Sequence, residues 1–134
     1  MEIPQILKTY QKIAVVGASP NPDRTSNQVL TYLNKHGYKV IPINPNTAEI
    51  SGQKCYPSLD AVPEKIDIVD IFRRSEECVP IVEEAIKIGA KVIWMQEGVV
   101  NSEAEALGVN AGLTVVMDHC LMKEHKRYRG QEME

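Results

Sequence analysis

The sequence predicts a Rossmann-like α/β fold: a doubly wound, mostly parallel sheet of five to six strands with helices on both faces. One pattern recurs three times, a glycine, one further residue, Lys or Thr and then β-branched residues, at Gly37, Gly89 and Gly112. Each glycine follows a helical stretch, in the position where a left-handed residue ends a helix. Each run after it is short and apolar, like strands that are covered on both faces. Helices that alternate with such strands imply parallel pairing through right-handed crossovers.

The first part of the chain predicts a helix at about 3–10, a strand at 12–17, a helix at 25–36 and a strand at 38–43. The apolar run Ile13–Val16 indicates the first strand, and Val29, Leu30 and Leu33 follow it at helical spacing. Pro42 stands near the carboxyl end of the second strand. Because proline has no N–H to donate, we expect ladder pairing to stop there.

Residues 44–66 are predicted to form a loop-rich connection, since they contain the breakers Asn44-Pro45, Ser51-Gly52, Pro57 and Pro63. Within it we expect a short strand near 54–56 and a helical turn at 58–61.

The rest of the chain repeats the alternation, with strand 67–71, helix 76–88, strand 91–95, helix 102–111, strand 114–117 and helix 120–128. The strands are again short apolar runs. Proline is tolerated in the first turn of a helix, so the helix that contains Pro80 is expected to start nearer Val79. The tail, residues 130–134, is predicted to be frayed.

Length and composition bound the class of protein. The 134 residues predict one domain over 1–134, with a core at about 5–127, and 43% apolar with 25% charged residues is ordinary for a globular chain. The net charge of −3 argues against nucleic acid as a partner, because such binding needs an excess of Lys and Arg.

The cysteines and the amino terminus indicate a cytoplasmic protein. Cys55, Cys78 and Cys120 form no C-x-x-C pair, which suits reduced thiols better than a disulfide framework. The first residues lack the basic and apolar regions of an export signal. No apolar run approaches the roughly 18 residues that cross a bilayer, so no membrane partner is expected.

The turn after the first strand indicates a phosphate ligand. The apolar run ends at Gly17 and opens into a small, polar, proline-containing loop that leads into a helix. The first amides of such a helix and its dipole favour an anion. A tight strand-to-helix turn without a ligand remains the alternative.

This turn differs from the dinucleotide and triphosphate motifs. The fingerprint G-x-G-x-x-G needs glycines at positions 19 and 22, where the chain has Ser19 and Pro22. The second strand ends in Ile43-Asn44-Pro45, without the acidic residue that holds the ribose of NAD. A Walker sequence, G-x-x-x-x-G-K-[ST], is also missing.

Ligands in open parallel sheets bind beyond the carboxyl ends of the strands, at the switch in strand order. The polar or small residues at these ends are Gly17–Ser19, Asn44–Pro45, Phe72–Arg74, Gln96–Gly98 and Asp118–Cys120. Together they predict one ligand-binding rim.

Several side chains on this rim have two interpretations each. Arg24 opposes the dipole at a helix start, which suggests an anion clamp, although a solvated surface residue is the alternative. Arg73 or Arg74 suits bidentate contact with phosphate beside the apolar face of Phe72, or the two are a surface pair. Glu97 suits an adenine amino group or a ribose hydroxyl, or is an ordinary loop residue.

Cys120 and His125 lie at the last predicted helix. A thiol at a helix start has a lowered pKa, which suits thiol exchange by Cys120, and packing is the alternative. His125 is expected to be exposed beside a basic cluster that includes Lys123 and Arg129.

Six motifs in order resemble a known family: Gly-Ala-Ser-Pro…Arg, Gly-Tyr-Lys-Val-Ile-Pro-Ile-Asn-Pro, Tyr-Pro-Ser-Leu, Asp-Ile-Val-Asp-Ile-Phe-Arg-Arg, Trp-Met-Gln-Glu-Gly and Val-Met-Asp-His-Cys. The set resembles the small stand-alone CoA-binding proteins, whose domain is similar to the CoA-binding domain of the succinyl-CoA synthetase α subunit. The resemblance covers about residues 5–127. It implies a Rossmann-like fold that holds coenzyme A across the carboxyl edge of the sheet.

The resemblance also implies a set of ligand contacts. Those positions are Gly17, Ala18, Ser19, Arg24, Ser26, Asn44, Pro45, Phe72, Arg73, Met95, Gln96, Glu97 and Gly98. The turn at 17–19 would meet the diphosphate, and residues 95–98 would lie on the adenosine side. The synthetase-like domains carry a lysine where this chain has Asn46 and Thr47, which leaves that phosphate contact to an arginine.

We therefore expect a protein that binds CoA or an acyl-CoA without catalysis. Ligase activity is not implied, because the phosphorylated histidine of the synthetase belongs to a separate domain. Two alternatives stay open at this point: a CoA-linked thiol–disulfide protein that uses Cys120, and an NAD(P)-binding oxidoreductase. The sequence also leaves open whether the chain forms a homodimer.

Overall fold

The structure is a computed structural model that describes residues 1–132, with side chains described up to Arg129. The helices are α1 (Ile3–Thr9), α2 (Thr25–Lys35), α3 (Cys78–Lys87), α4 (Ser102–Asn110) and α5 (Leu121–Glu132). The strands are β1 (Lys12–Val16), β2 (Lys39–Ile43), β3 (Glu49–Ile50), β4 (Gln53–Lys54), β5 (Ile68–Ile71), β6 (Val92–Met95) and β7 (Thr114–Val116). Short 3-10 turns occupy Leu59–Ala61 and Ser75–Glu77.

The main sheet has five parallel strands in the order β2-β1-β5-β6-β7. The chain builds outward from β1 in both directions, so the strand order reverses between β1 and β5. Val15 of β1 pairs with Pro42 on one side and with Asp70 on the other. The predicted doubly wound parallel sheet is confirmed, and its switch point lies between β1 and β5.

The loop-rich connection forms the edge of the sheet beside β2. The strand predicted near 54–56 is instead an antiparallel hairpin, β3-β4, followed by a single parallel bridge between Ile43 and Tyr56. Pro42 does not end the ladder, because pairing with β1 continues to Ile43. The carbonyl of Pro42 accepts from the Tyr56 amide at 3.0 Å, on the side of β2 that faces away from β1. Because the N–H and C=O of a strand residue point to the same side, the N–H that proline lacks would also face away from β1, and its absence does not interrupt the ladder.

Both faces of the sheet are covered by helices, as predicted. Side chains alternate along each strand, so Ile13 and Val15 pack on the face of α1, α2 and α5, while Ala14 and Val16 pack on the face of α3 and α4. Trp94 is fully buried on the first face and Met95 on the second. This arrangement leaves the carboxyl ends of the strands as the open rim of the domain.

The helix boundaries follow local chemistry. Gly37, Gly89 and Gly112 have φ values of 91°, 81° and 89°, the left-handed conformation predicted from the repeated pattern. Pro80 is the third residue of α3, within its first turn. The last helix extends to Glu132, beyond the predicted 128, and residues 133–134 of the predicted tail lie outside the described residues. Within residues 1–132, no helix has the length and apolarity needed to span a membrane.

Candidate functional site

A cleft of about 700 Å³ lies at the switch point, beyond the carboxyl ends of β1 and β5. It brings together eight residues that the sequence predicted: Gly17, Ala18, Ser19, Arg24, Ser26, Asn44, Phe72 and Arg73. The same cleft is lined by Asp23, Thr25, Asn46, Arg74 and Glu77. Most of these side chains are polar or charged, which suits an anionic ligand.

Gly17 allows the turn after β1 to approach β5. Its φ is +88°, and a Cβ atom there would lie 2.5 Å from the carbonyl oxygen of Phe72 and 2.9 Å from Cδ of Arg73. Any side chain at this position would therefore push the loop after β5 away from the turn. The close approach places the side chain of Arg73 against the turn, where it lines the cleft.

The first amides of α2 are among the free backbone donors of the cleft. The amides of Gly17 and Ala18 both donate to the carbonyl of Ile43, at 3.1 and 3.3 Å, so they are already occupied. Helix α2 has no side-chain cap, and within the described residues the amides of Thr25 and Ser26 donate to no acceptor. Unsatisfied amides at the positive end of a helix dipole favour an anion.

A set of amide side chains holds the loops around these donors. Asn44 donates from Nδ2 to the carbonyl of Ala18 at 2.8 Å and accepts from the Asn46 amide at 2.8 Å. Asn27 donates to the carbonyl of Ser19 at 2.9 Å. Asn44 therefore acts on the turn through the backbone, and the loop after β2 and the turn after β1 are joined into one wall.

The three arginines of the cleft differ in whether they form ion pairs. Arg24 is exposed and has no ion pair within the described residues. Arg73 and Arg74 share one carboxylate, since Nε of Arg73 lies 2.7 Å from Oε2 of Glu77 and Nε of Arg74 lies 2.8 Å from Oε1. The two arginines lower the pKa of Glu77, Arg74 contributing most. Sequence reasoning missed Glu77, although its spacing of four from Arg73 is the helical signal for such a pair.

Five predicted residues lie outside this cleft. Pro45 lines a second, adjoining cleft of about 450 Å³. The side chain of Met95 is fully buried, and Gln96 is turned inward. Both carboxylate oxygens of Glu97 accept from Nζ of Lys123, at 2.9 and 3.2 Å. The Gly98 amide donates to Asp118 at 2.7 Å.

Asp70 is a buried carboxyl group that the sequence analysis did not single out. It lies at the centre of β5 and is fully buried, with one hydrogen bond of 2.7 Å from Nε2 of Gln96. Its second oxygen has no partner among the described residues. Burial raises the pKa of Asp70 to about 8, although the bond from Gln96 opposes the shift. The available signal was an aspartate inside the apolar run Ile68–Ile71.

The last helix differs from expectation at two side chains. Cys120 is 4% exposed and belongs to the same core cluster as Trp94 and Leu121, so its thiol is closed to solvent. His125 is buried and not exposed, with Nδ1 2.8 Å from the hydroxyl of Tyr32. Packing of α5 against α2 accounts for the position of this histidine.

Comparison with known proteins assigns a family. The model of the CoA binding domain matches residues 11–126. The uncharacterized protein YneT of Bacillus subtilis (strain 168) is 44% identical over 124 residues, which make up 92% of each chain. A hypothetical protein from Pyrococcus horikoshii OT3 has a solved structure with a TM-score of 0.91 and 49% identity, over 93% of this chain and 88% of that one.

A larger enzyme contains a similar domain. The dinucleotide-forming acetyl-coenzyme A synthetase 1 of Ca. Korarchaeum cryptofilum, solved in complex with phosphate and ADP, aligns with a TM-score of 0.73 and 32% identity. The alignment covers 83% of this chain but only 26% of the synthetase.

Proposed function

Because the chain belongs to the CoA binding domain family, we propose that it binds coenzyme A, free or acylated, in the cleft at the carboxyl ends of β1 and β5. The observation that carries the proposal is the uncapped start of α2, where the amides of Thr25 and Ser26 are free inside an arginine-lined cleft. These amides are the donors for the diphosphate of CoA. Arg24, the N-cap residue of α2, supplies a positive charge that has no ion pair within the described residues.

The residues of the cleft fit the remaining chemistry of CoA. Phe72 is half-buried at the end of β5 and offers an apolar face to the base or to the pantetheine arm. Where the synthetase-like domains carry a lysine, this chain has the uncharged residues Asn46 and Thr47. Arg24 and Arg73 therefore make the phosphate contact at this end of the sheet. The ligand is held by its phosphates, which leaves the thiol end free to carry an acyl group.

Calorimetric titration of the purified protein with CoA and with NADH tests the proposal. We expect saturable binding of CoA, competition by ADP, and no measurable heat from NADH. A preference for NADH would contradict the proposal, and so would equal binding of the two nucleotides. Mass spectrometry of the small molecules that copurify with the protein distinguishes free CoA from acyl-CoA.

A further inference from the structure

The 700 Å³ cleft and the 450 Å³ cleft adjoin each other and share the same dividing residues. Gly17, Arg73 and Glu77 line both of them. The first cleft contains free amides at the start of α2, whereas the second lies between the loop after β2 and α3 and is lined by apolar side chains such as Pro45 and Ile81 together with Glu76 and Glu84. Gly17 has no side chain, so the ion pair of Arg73 with Glu77 is the partition between the two clefts.

The contacts of Glu77 hold this partition in place. Its two carboxylate oxygens accept from different arginines, Arg73 at 2.7 Å and Arg74 at 2.8 Å. Glu77 directly precedes α3, where a carboxylate is also favoured by the helix dipole. The single carboxylate of Glu77 therefore binds two guanidinium groups that line the cleft.

The partition is nevertheless weakly held. The side chains of Arg73 and Arg74 are 42% and 77% exposed, and ion pairs at such exposure contribute little net free energy because water and salt screen them. A phosphate offers more acceptor oxygens and more charge than a carboxylate. An anionic ligand is thus able to exchange with Glu77 for its arginines.

We infer that Glu77 is an internal anion that closes the passage between the two clefts, and that a ligand long enough to occupy both displaces it from Arg73. The inference rests on the proposed function, since CoA is the long anionic ligand. A short anion such as inorganic diphosphate fits within the first cleft, so it competes with Glu77 for charge but gains nothing from access to the second cleft.

Titrations of CoA and of inorganic diphosphate into the wild type, Glu77→Gln and Glu83→Gln test this inference. Glu83 is the matched control, because it carries the same charge on the exposed side of α3, lines neither cleft and has no ion pair within the described residues. We expect Glu77→Gln to bind CoA about twofold to tenfold more tightly, with a smaller gain for diphosphate. Glu83→Gln is expected to change either affinity by less than about twofold. Glu77→Ala repeats the test if the glutamine variant is unstable.

The outcomes separate the two proposals. If the wild type fails to bind CoA, the proposed function is wrong. If the wild type binds CoA but Glu77→Gln binds it equally or more weakly, Glu77 is not a competing anion. If Glu77→Gln increases the affinities for CoA and for diphosphate equally, the increase reflects charge alone, and Glu77 does not close a passage between the two clefts.

Discussion

The carbonyl oxygen of Phe72 lies 2.5 Å from the position that a Cβ atom on Gly17 would occupy. Gly17→Ala therefore combines a left-handed φ with a backbone clash that no rotamer relieves. We expect it to lower the free energy of unfolding and to abolish CoA binding, since the loop after β5 must move. Gly37→Ala is the control, because it has a similar φ of +91° but no atom within 4 Å of the new Cβ.

Urea denaturation measures both variants. Gly37→Ala is expected to cost about 1–2 kcal/mol, the strain of a left-handed alanine, with CoA affinity unchanged. Gly17→Ala should cost clearly more. Equal losses in the two variants would show that the approach to Phe72 is not tight in solution.

The pKa of Asp70 predicts a pH-dependent stability. The folded protein raises this pKa from 3.8 to about 8, so the native state holds the proton more tightly than the unfolded chain does. The stabilising contribution is fully present below about pH 4 and is lost as the pH rises to about 8. Asp70→Asn, which stays neutral, should flatten this part of the profile and unfold at higher urea than the wild type at pH 8.

Urea midpoints at pH 5 and pH 8 test the prediction for Asp70. Asp67→Asn serves as the control, since Asp67 lies directly before the same strand and is only partly buried. Parallel changes in the wild type and Asp70→Asn between the two pH values would show that Asp70 is ionised in the fold.

Asn44 is predicted to support binding through the backbone. Asn44→Ala removes the bond to the carbonyl of Ala18 and the bond from the Asn46 amide, and should cost about 1 kcal/mol of stability for each. We expect CoA affinity to fall about threefold to tenfold as the wall of the cleft loosens. Asn34→Ala breaks a comparable bond to Gln53, 2.8 Å long and remote from the cleft, and should leave affinity unchanged. If Asn44→Ala and Asn34→Ala bind CoA with the same affinity, Asn44 does not support ligand binding.

Arg24 is predicted to contribute charge directly to ligand binding. Arg24→Ala should weaken CoA binding about tenfold, the effect of about one charge-assisted hydrogen bond, and should reduce the dependence of affinity on salt. Arg127→Ala removes an equal charge from α5, where Arg127 lies near Glu124, and is expected to have no effect. Calorimetry at two salt concentrations separates the variants. An unchanged affinity for Arg24→Ala would mean that Arg24 is only a surface residue.

The burial of Cys120 predicts that binding does not require a thiol. Cys120→Ser should retain the wild-type CoA affinity. All three cysteines are buried, so we expect them to react with a thiol reagent only on the timescale of unfolding. Rapid labelling of Cys120 in the native protein, with loss of disulfide exchange in the serine variant, would favour the redox alternative instead.

Much of the site was predictable because its geometry follows from topology. Carboxyl ends of neighbouring parallel strands meet at one edge, so Gly17, Asn44 and Phe72 had to lie close together once the strands were identified. The contacts of residues 95–98 were not predictable in this way. Both faces of β6 are covered by helices, so its sequence shows no alternation of apolar and polar residues. The hydrophobic pattern therefore does not tell whether Met95 or Gln96 points toward a ligand or into the core.

The sequence by itself determined the parallel α/β architecture, the left-handed glycines and the polar turn at the start of α2, because these depend on local periodicity and backbone sterics. Only the tertiary structure decided which donors stay free. The carbonyl of Ile43 accepts from the amides of Gly17 and Ala18, whereas the amides of Thr25 and Ser26 are free to bind an anion. The tertiary structure also determines that Arg73 and Arg74 both pair with Glu77. Which charged groups form an ion pair depends on their distances in the folded protein, and spacing along the chain does not fix those distances.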